Sequence, residues 1–209
     1  MQTLIINAQP DLTNKAHFST KLQEMFLTKF AAQFPESTAT ILNLYDTQIP
    51  RIEAAQLLKV WEQGATLSSE EAVLAQTSTA LLAQFKAHHR IVIVSPLHNF
   101  NVTSRLKDYL DNILIARETF KYTDDGSVGL MTDDYKVLLL QASGSIYTND
   151  DRYTSLEFSR FYLQKMFEEI IGFDQFYIAR AQGTATLPVK QVLASAAADL
   201  DSVFTQFYA

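Results

Sequence analysis

The 209-residue chain contains no cysteine. Disulfide staples, thiolate zinc sites, iron–sulfur clusters and dithiol chemistry are therefore excluded, and any redox chemistry has to reside in a bound cofactor. No apolar run approaches the ~20 residues that a membrane helix needs. The N-terminus, Met1-Gln2-Thr3-Leu4-Ile5-Ile6-Asn7, has neither a basic n-region nor a long apolar h-region. No signal peptide is expected, and a cytoplasmic location is the default. An excess of basic charge is also missing. The net charge is -6 and the pI about 5.2, which argues against nucleic acid or an anionic membrane as the main partner.

Several motifs are absent too. There is no Walker pattern, no G-x-G-x-x-G, no H-E-x-x-H and no G-x-S-x-G elbow. The histidines, His17, His88, His89 and His98, show no metal-ligand spacing, so no metal site is expected. Asp124-Asp125, Asp133-Asp134 and Asp150-Asp151 read as solvated turns rather than carboxylate dyads.

What is present is a core-forming composition, 47% hydrophobic, which suits one domain spanning residues 1–209. The centre of the chain is Arg90-Ile91-Val92-Ile93-Val94, a strand buried on both faces by its β-branched run. Ser95-Pro96 is expected to stop it. Leu106, Tyr109, Leu110 and Ile113 then fall at helical spacing, and Thr103 is placed to cap that helix. Further strands are predicted over 3–6, 38–44, 136–141 and 173–179. Helices are predicted over 18–34, 53–63, 69–86, 155–171 and 188–207. Ser68-Ser69-Glu70-Glu71 forms a capping-box pattern. Residues 119–126 form an excursion with a turn.

Strands alternating with helices imply a parallel sheet with helices on both faces. With right-handed crossovers and strand order 2-1-3-4-5, the arrangement is a flavodoxin-like α/β three-layer sandwich. That order brings the loops after strands one, three and four to one edge: 7–18, 95–101 and 142–145. The first loop opens a helix, whose N-terminus favours an anion, and a monophosphate fits best. Thr13, Asn14, Lys15, His17 and Ser19 supply donors there, although His17 or Ser19 also suits the simpler role of helix cap. The second loop offers the amide of Asn99 and the flat side chains of His98 and Phe100, as a flavin ring requires. In the third, Gly144 between Ser143 and Ser145 permits close backbone approach, or makes a plain turn.

The run Pro96-Leu97-His98-Asn99-Phe100-Asn101, followed by Leu106-Lys107-Asp108-Tyr109 and Asp111, resembles the FMN-dependent NADH-azoreductase family. Thr119-Phe120-Lys121-Tyr122-Thr123, then Gly126 and Gly129-Leu130, resembles its next block. Order and spacing agree over nearly the whole chain. The resemblance implies a homodimeric flavodoxin-like enzyme with one FMN per subunit. Such an enzyme passes hydride from NADH, or NADPH, through the flavin to quinones or azo compounds.

It also implies cofactor contacts at Gln9, His17, Phe18, Ser19, Pro96, Leu97, His98, Asn99, Phe100, Ser143, Gly144 and Ser145, and an acceptor pocket at Phe120 and Tyr122. No protein side chain is expected to be catalytic, because the flavin carries the chemistry. The departures cluster at the cofactor. The family's Ser-x-Ser becomes His17-Phe18-Ser19, and an earlier serine becomes Gln9. A methionine and an aromatic become Leu97 and His98, and Arg-Gly-Gly becomes Ser143-Gly144-Ser145. An aromatic near the end of the next helix falls at Ile170. A protonated His98 beside the ring is expected to favour its reduced, anionic form. The departures also motivate a competing expectation, an FMN-binding or regulatory module that has lost oxidoreductase activity.

Overall fold

The computed structural model describes residues 2–209. Met1, the first residue of the segment read for a signal peptide, lies outside them. Five strands form one parallel sheet: β1 (Thr3–Asn7), β2 (Ala39–Asn43), β3 (Arg90–Pro96), β6 (Lys136–Ala142) and β7 (Gln175–Ala181). Their order is β2-β1-β3-β6-β7, the 2-1-3-4-5 arrangement expected. The helices are α1 (Phe18–Gln33), α2 (Ala55–Val60), α3 (Ser69–Lys86), α4 (Ser104–Ile113), α5 (Phe158–Gln164) and α6 (Val189–Tyr208).

Alternation along the strands divides the core in two. Ile5, Val92, Val94, Leu138 and Leu140 pack with Leu22, Phe26 and Phe30 of α1 and with Val192, Ala196, Leu200 and Phe204 of α6. Leu4, Ile6, Ile91, Ile93, Val137 and Leu139 pack with residues of α3, α4 and the α5 region, including Phe85, Leu106, Tyr109 and Phe167. Each fully buried large apolar side chain contributes roughly 1.5–3 kcal/mol relative to exposure. None of the helices of the described residues is long and apolar enough to cross a membrane.

The excursion after α4 is an antiparallel hairpin, β4 (Phe120–Thr123) with β5 (Gly126–Gly129). It is tied down at its far end, where the Met131 N–H donates to the Ile171 carbonyl. Gly129 is required there, because a Cβ would lie 2.4 Å from the backbone of Gly172.

Three local expectations need correction, and a fourth is met with a difference. First, β3 ends at Pro96 as expected, but the proline still sits inside the ladder, as the last rung opposite Ala142. Strand residues alternate sides, and Leu97 N–H takes the next ladder bond, to the Ala142 carbonyl at 2.7 Å. The missing proline donor faces the side where β1 has already ended at the Asn7–Val94 rung. Second, Thr103 occupies the N-cap position of α4 but makes no side-chain cap. Its buried hydroxyl instead donates to the Ala8 carbonyl at 3.4 Å, joining α4 to the loop after β1. Third, α2 covers only Ala55–Val60 of the predicted 53–63, and the chain then turns at Trp61, whose indole N–H reaches the Ser78 hydroxyl of α3.

Fourth, the predicted helix 155–171 is three pieces: a 3₁₀ turn Thr154–Leu156, then α5, then a π-helical turn Lys165–Ile170. Ile171 N–H reaches back five residues to Met166, which leaves the Phe167 carbonyl for Phe173 N–H at 2.8 Å. Residues 172–174 are spent in that reversal, so β7 starts at Gln175 instead of 173. The capping box at Ser68 and Glu71 forms as the sequence predicts.

Candidate functional site

The loop after β1 is shaped by short polar side chains bonding to nearby backbone. The Asn7 carboxamide accepts from Gln9 N–H at 3.0 Å, and Gln9 Oε1 accepts from Asp11 N–H at 3.2 Å. Asp11 Oδ1 accepts from the Thr13 hydroxyl at 2.8 Å and from the N–H groups of Thr13 and Asn14. These turns deliver the chain to α1. Gln9 Nε2 donates to the buried Ser19 hydroxyl at 2.6 Å.

Neither His17 nor Ser19 caps the helix: α1 has no side-chain cap, and Phe18, Ser19 and Thr20 carry no hydrogen bond on their N–H groups among the described residues. His17 Nε2 lies 3.2 Å from Asp11 Oδ2. The Thr13 hydroxyl first, and His17 second, hold the Asp11 carboxyl below the usual carboxylate range.

The loop after β3 is a two-residue reversal. His98 and Asn101 exchange both backbone hydrogen bonds, at 3.0 and 2.9 Å. Between them Asn99 has φ 45° and Phe100 φ 65°, both in the left-handed region that a tight turn of this hand demands. The Phe100 carbonyl accepts from Ser159 N–H at 3.2 Å, which fastens the turn to the start of α5. The loop after β6 is bonded to the loop after β7: Thr184 N–H to the Ser143 carbonyl, Ala185 N–H to that of Gly144 and Gly183 N–H to that of Ser145.

Where these loops meet lies a pocket of about 200 Å³. Gln9, His17, Phe18 and Ser19 line it from the first loop, Pro96 and Leu97 from the second, and Ser143 and Gly144 from the third. Ala142 and Thr184 complete it. The volume is below the ~300–1,000 Å³ of sites that engulf a whole small molecule, so it suits one end of a longer ligand. Among the described residues no lysine or arginine lines it. Its donors are the open helix end, a buried hydroxyl, an amide and the His17 ring, a set that fits a phosphate.

His98, Asn99, Phe100 and Ser145 lie outside that lining, the first three exposed on the turn. Phe120 and Tyr122, ring centroids 5.4 Å apart, line a separate pocket of about 230 Å³ with Trp61, Leu114 and Arg117. Ile170 falls in the π turn and packs partly buried against the core. Thr184 was not anticipated from the sequence. The available signal was Gly183 in the connection between the fifth strand and the Pro188 helix start. That signal is weak because β7 is an edge strand, and the bonds between the loops after β6 and β7 bring Thr184 inward.

The sheet order and its converging loops define a flavodoxin-like protein. The family model for the flavodoxin-like fold matches residues 1–204, and the chain belongs to that family. Among similar proteins, FMN-dependent NADH:quinone oxidoreductase 1 of Lactiplantibacillus plantarum is 59% identical, with 99% of each chain covered. FMN-dependent NADH:quinone oxidoreductase of Streptococcus agalactiae is 48% identical over 100% of this chain and 99% of its own. The crystal structure of a Bacillus anthracis FMN-dependent NADH-azoreductase in complex with FMN superposes with a TM-score of 0.90 at 44% identity, covering 98% of both chains.

Proposed function

We propose that this chain is an FMN-dependent NADH:quinone oxidoreductase that also reduces azo compounds, using NADH, or NADPH, as donor. The observation that carries the proposal is the pocket at the convergence of the three loops, with unspent helix N–H groups and buried Ser19 facing a phosphate-sized space. The names borne by the relatives, and the FMN held by the Bacillus anthracis enzyme, support it.

FMN supplies hydride transfer, from NADH and then to the acceptor, in two half-reactions. The protein's part is binding, orientation and electrostatics. In this reading Gln9, His17, Phe18 and Ser19 would hold the phosphate end, and Ser143, Gly144 and Ser145 would contact the cofactor from the facing loop. Pro96, Leu97, His98, Asn99 and Phe100 carry the ring, the Asn99 amide serving its polar edge. Phe120 and Tyr122 shape the acceptor pocket. No side-chain nucleophile or general base is invoked. The same reading makes residues 1–209 one FMN-binding unit, working as a cytoplasmic homodimer.

The test is direct. Purified protein mixed with FMN and freed of excess should retain yellow flavin and oxidise NADH when a simple quinone is added. Retained flavin without NADH oxidation would favour the binding module instead, and a chain that takes up no flavin would overturn the proposal.

A further inference from the structure

The pocket proposed for the phosphate has no permanent cation. Lys15 is 76% exposed and reaches towards Glu24, and Lys21 lies over the Phe18 ring, 5.5 Å from its centroid. The facing loops contribute Pro96, Leu97, Ser143, Gly144 and Thr184, none of them titratable. A dianionic phosphate there would meet helix N–H groups, one imidazole, and the carboxylate of Asp11 behind that imidazole. Phosphate monoesters carry about two negative charges once their second proton, titrating near pH ~6, is lost. Placing that charge beside Asp11 with no cation between them costs electrostatic energy.

We infer that His17 is the counter-cation of the flavin phosphate and that FMN binding takes up one proton onto its ring. Asp11 is the carboxylate that positions the ring. The inference rests on the reading of this pocket as the FMN phosphate site. The geometry suits the role. Asp11 Oδ1 is satisfied by three donors from Thr13 and Asn14, so the carboxylate stays in place without His17. Its Oδ2 faces His17 Nε2 at 3.2 Å. His17 is the N-cap residue of α1 yet its ring bonds to no helix N–H, and His17, Phe18 and Ser19 line the same pocket. Histidine is the side chain that changes charge between about pH 5 and 8, so the counter-charge is conditional where an arginine's would be permanent. The chain should therefore discriminate FMN from riboflavin more strongly at lower pH.

The experiment is flavin titration of the flavin-free protein, followed by fluorescence quenching, between about pH 6.5 and about pH 8.5, where the phosphate itself is largely dianionic. FMN Kd is expected to rise with pH, approaching about tenfold per unit at the upper end, while riboflavin Kd stays flat. Calorimetry in buffers of different ionisation enthalpy should report proton uptake that grows with pH, towards one per FMN at the upper end. His17→Gln should bind FMN weakly with no pH slope, and His17→Lys should bind it tightly with no slope. The Lys variant separates loss of charge from loss of fold. A flat FMN Kd in the unaltered protein, or the same slope in His17→Gln, overturns the inference while leaving FMN binding intact. A chain that binds FMN at no pH overturns the cofactor reading itself, and the inference with it.

Discussion

Phe100 is held where a phenylalanine is uncomfortable. At φ 65° its Cβ crowds the following carbonyl, and Asn99 before it stands at φ 45°. A non-glycine residue in this region costs roughly 1–2 kcal/mol, less for asparagine, whose short amide bonds locally. The exchanged hydrogen bonds of His98 and Asn101 and the anchor from Ser159 N–H sustain the turn. The cost is met to fix a backbone shape and to hold a flat ring 41% exposed at the sheet edge.

Asn99→Ala is expected to destabilise the fold by about 1 kcal/mol, whereas Asn99→Gly should stay within a few tenths or gain stability. Urea midpoints check this. FMN affinity measured on the same pair separates backbone from amide: equal losses assign the contact to the side chain, and loss in alanine alone assigns it to the turn. Equal stability of the two variants would contradict the strained turn. The polar and aromatic loop after a buried strand drew attention to His98, Asn99 and Phe100, and the family resemblance singled out Asn99 and Phe100 among them. Their positive φ was not legible, since asparagine only permits that region and phenylalanine gives no sign of it.

At the level of elements, the turn depends on a buried polar joint that links β6, α5 and β7. Glu157, 2% exposed, takes two bonds from the Arg180 guanidinium at 2.8 and 2.9 Å and one from Gln141 Nε2 at 2.7 Å. Gln141 in turn accepts from the Ser159 hydroxyl at 2.5 Å, and it is Ser159 N–H that holds Phe100. Removing one member of a buried ion pair strands the other charge and costs about 3–5 kcal/mol. Glu157→Ala is expected to lower stability by that amount in urea unfolding and to weaken FMN binding by loosening the turn. The double substitution Glu157→Leu with Arg180→Met should recover much of the stability but not the turn's anchorage. A loss under about 1 kcal/mol in Glu157→Ala would show that the joint is not cooperative.

None of this joint was readable in advance. Its members are spread from 141 to 180, and only the sheet order makes them neighbours. The π turn escaped for a related reason: apolar spacing over 155–171 fits a continuous helix, and the extra residue shows only where Phe173 claims the Phe167 carbonyl. Asp134 is the exposed turn residue the sequence suggests, but its pairing with the buried Arg90 guanidinium at 2.9 Å, which holds its carboxyl below the usual range, was not legible.

For the whole molecule, the central strands were the most legible property, because runs such as Ile91–Val92–Ile93–Val94 and Val137–Leu138–Leu139–Leu140 read as strands covered on both faces, whereas the order 2-1-3-4-5 entered as an assumption that the sheet bears out. The surface was less legible, and it bears on assembly. Phe158 and Phe161, 47% and 39% exposed, lie three residues apart on α5 and so share a face. Tyr122, 76% exposed, stacks edge-on with Phe120 on the hairpin. Single exposed apolar residues are ordinary, but two aromatic pairs, one on α5 and one on the hairpin, are what a partner subunit would cover. The homodimer proposed above predicts sedimentation at twice the chain mass at micromolar concentration. Tyr122→Lys and Phe161→Lys together should weaken dimerisation at least about tenfold, or ~1.4 kcal/mol, while leaving the urea midpoint of the fold nearly unchanged, since neither side chain is buried in it. In the proposed site the loops after β1, β3 and β6 of one chain hold the FMN phosphate, so the monomeric variant should still bind flavin, with its ring more open to solvent quenchers. A chain that sediments as a monomer without substitution would overturn the proposed homodimer.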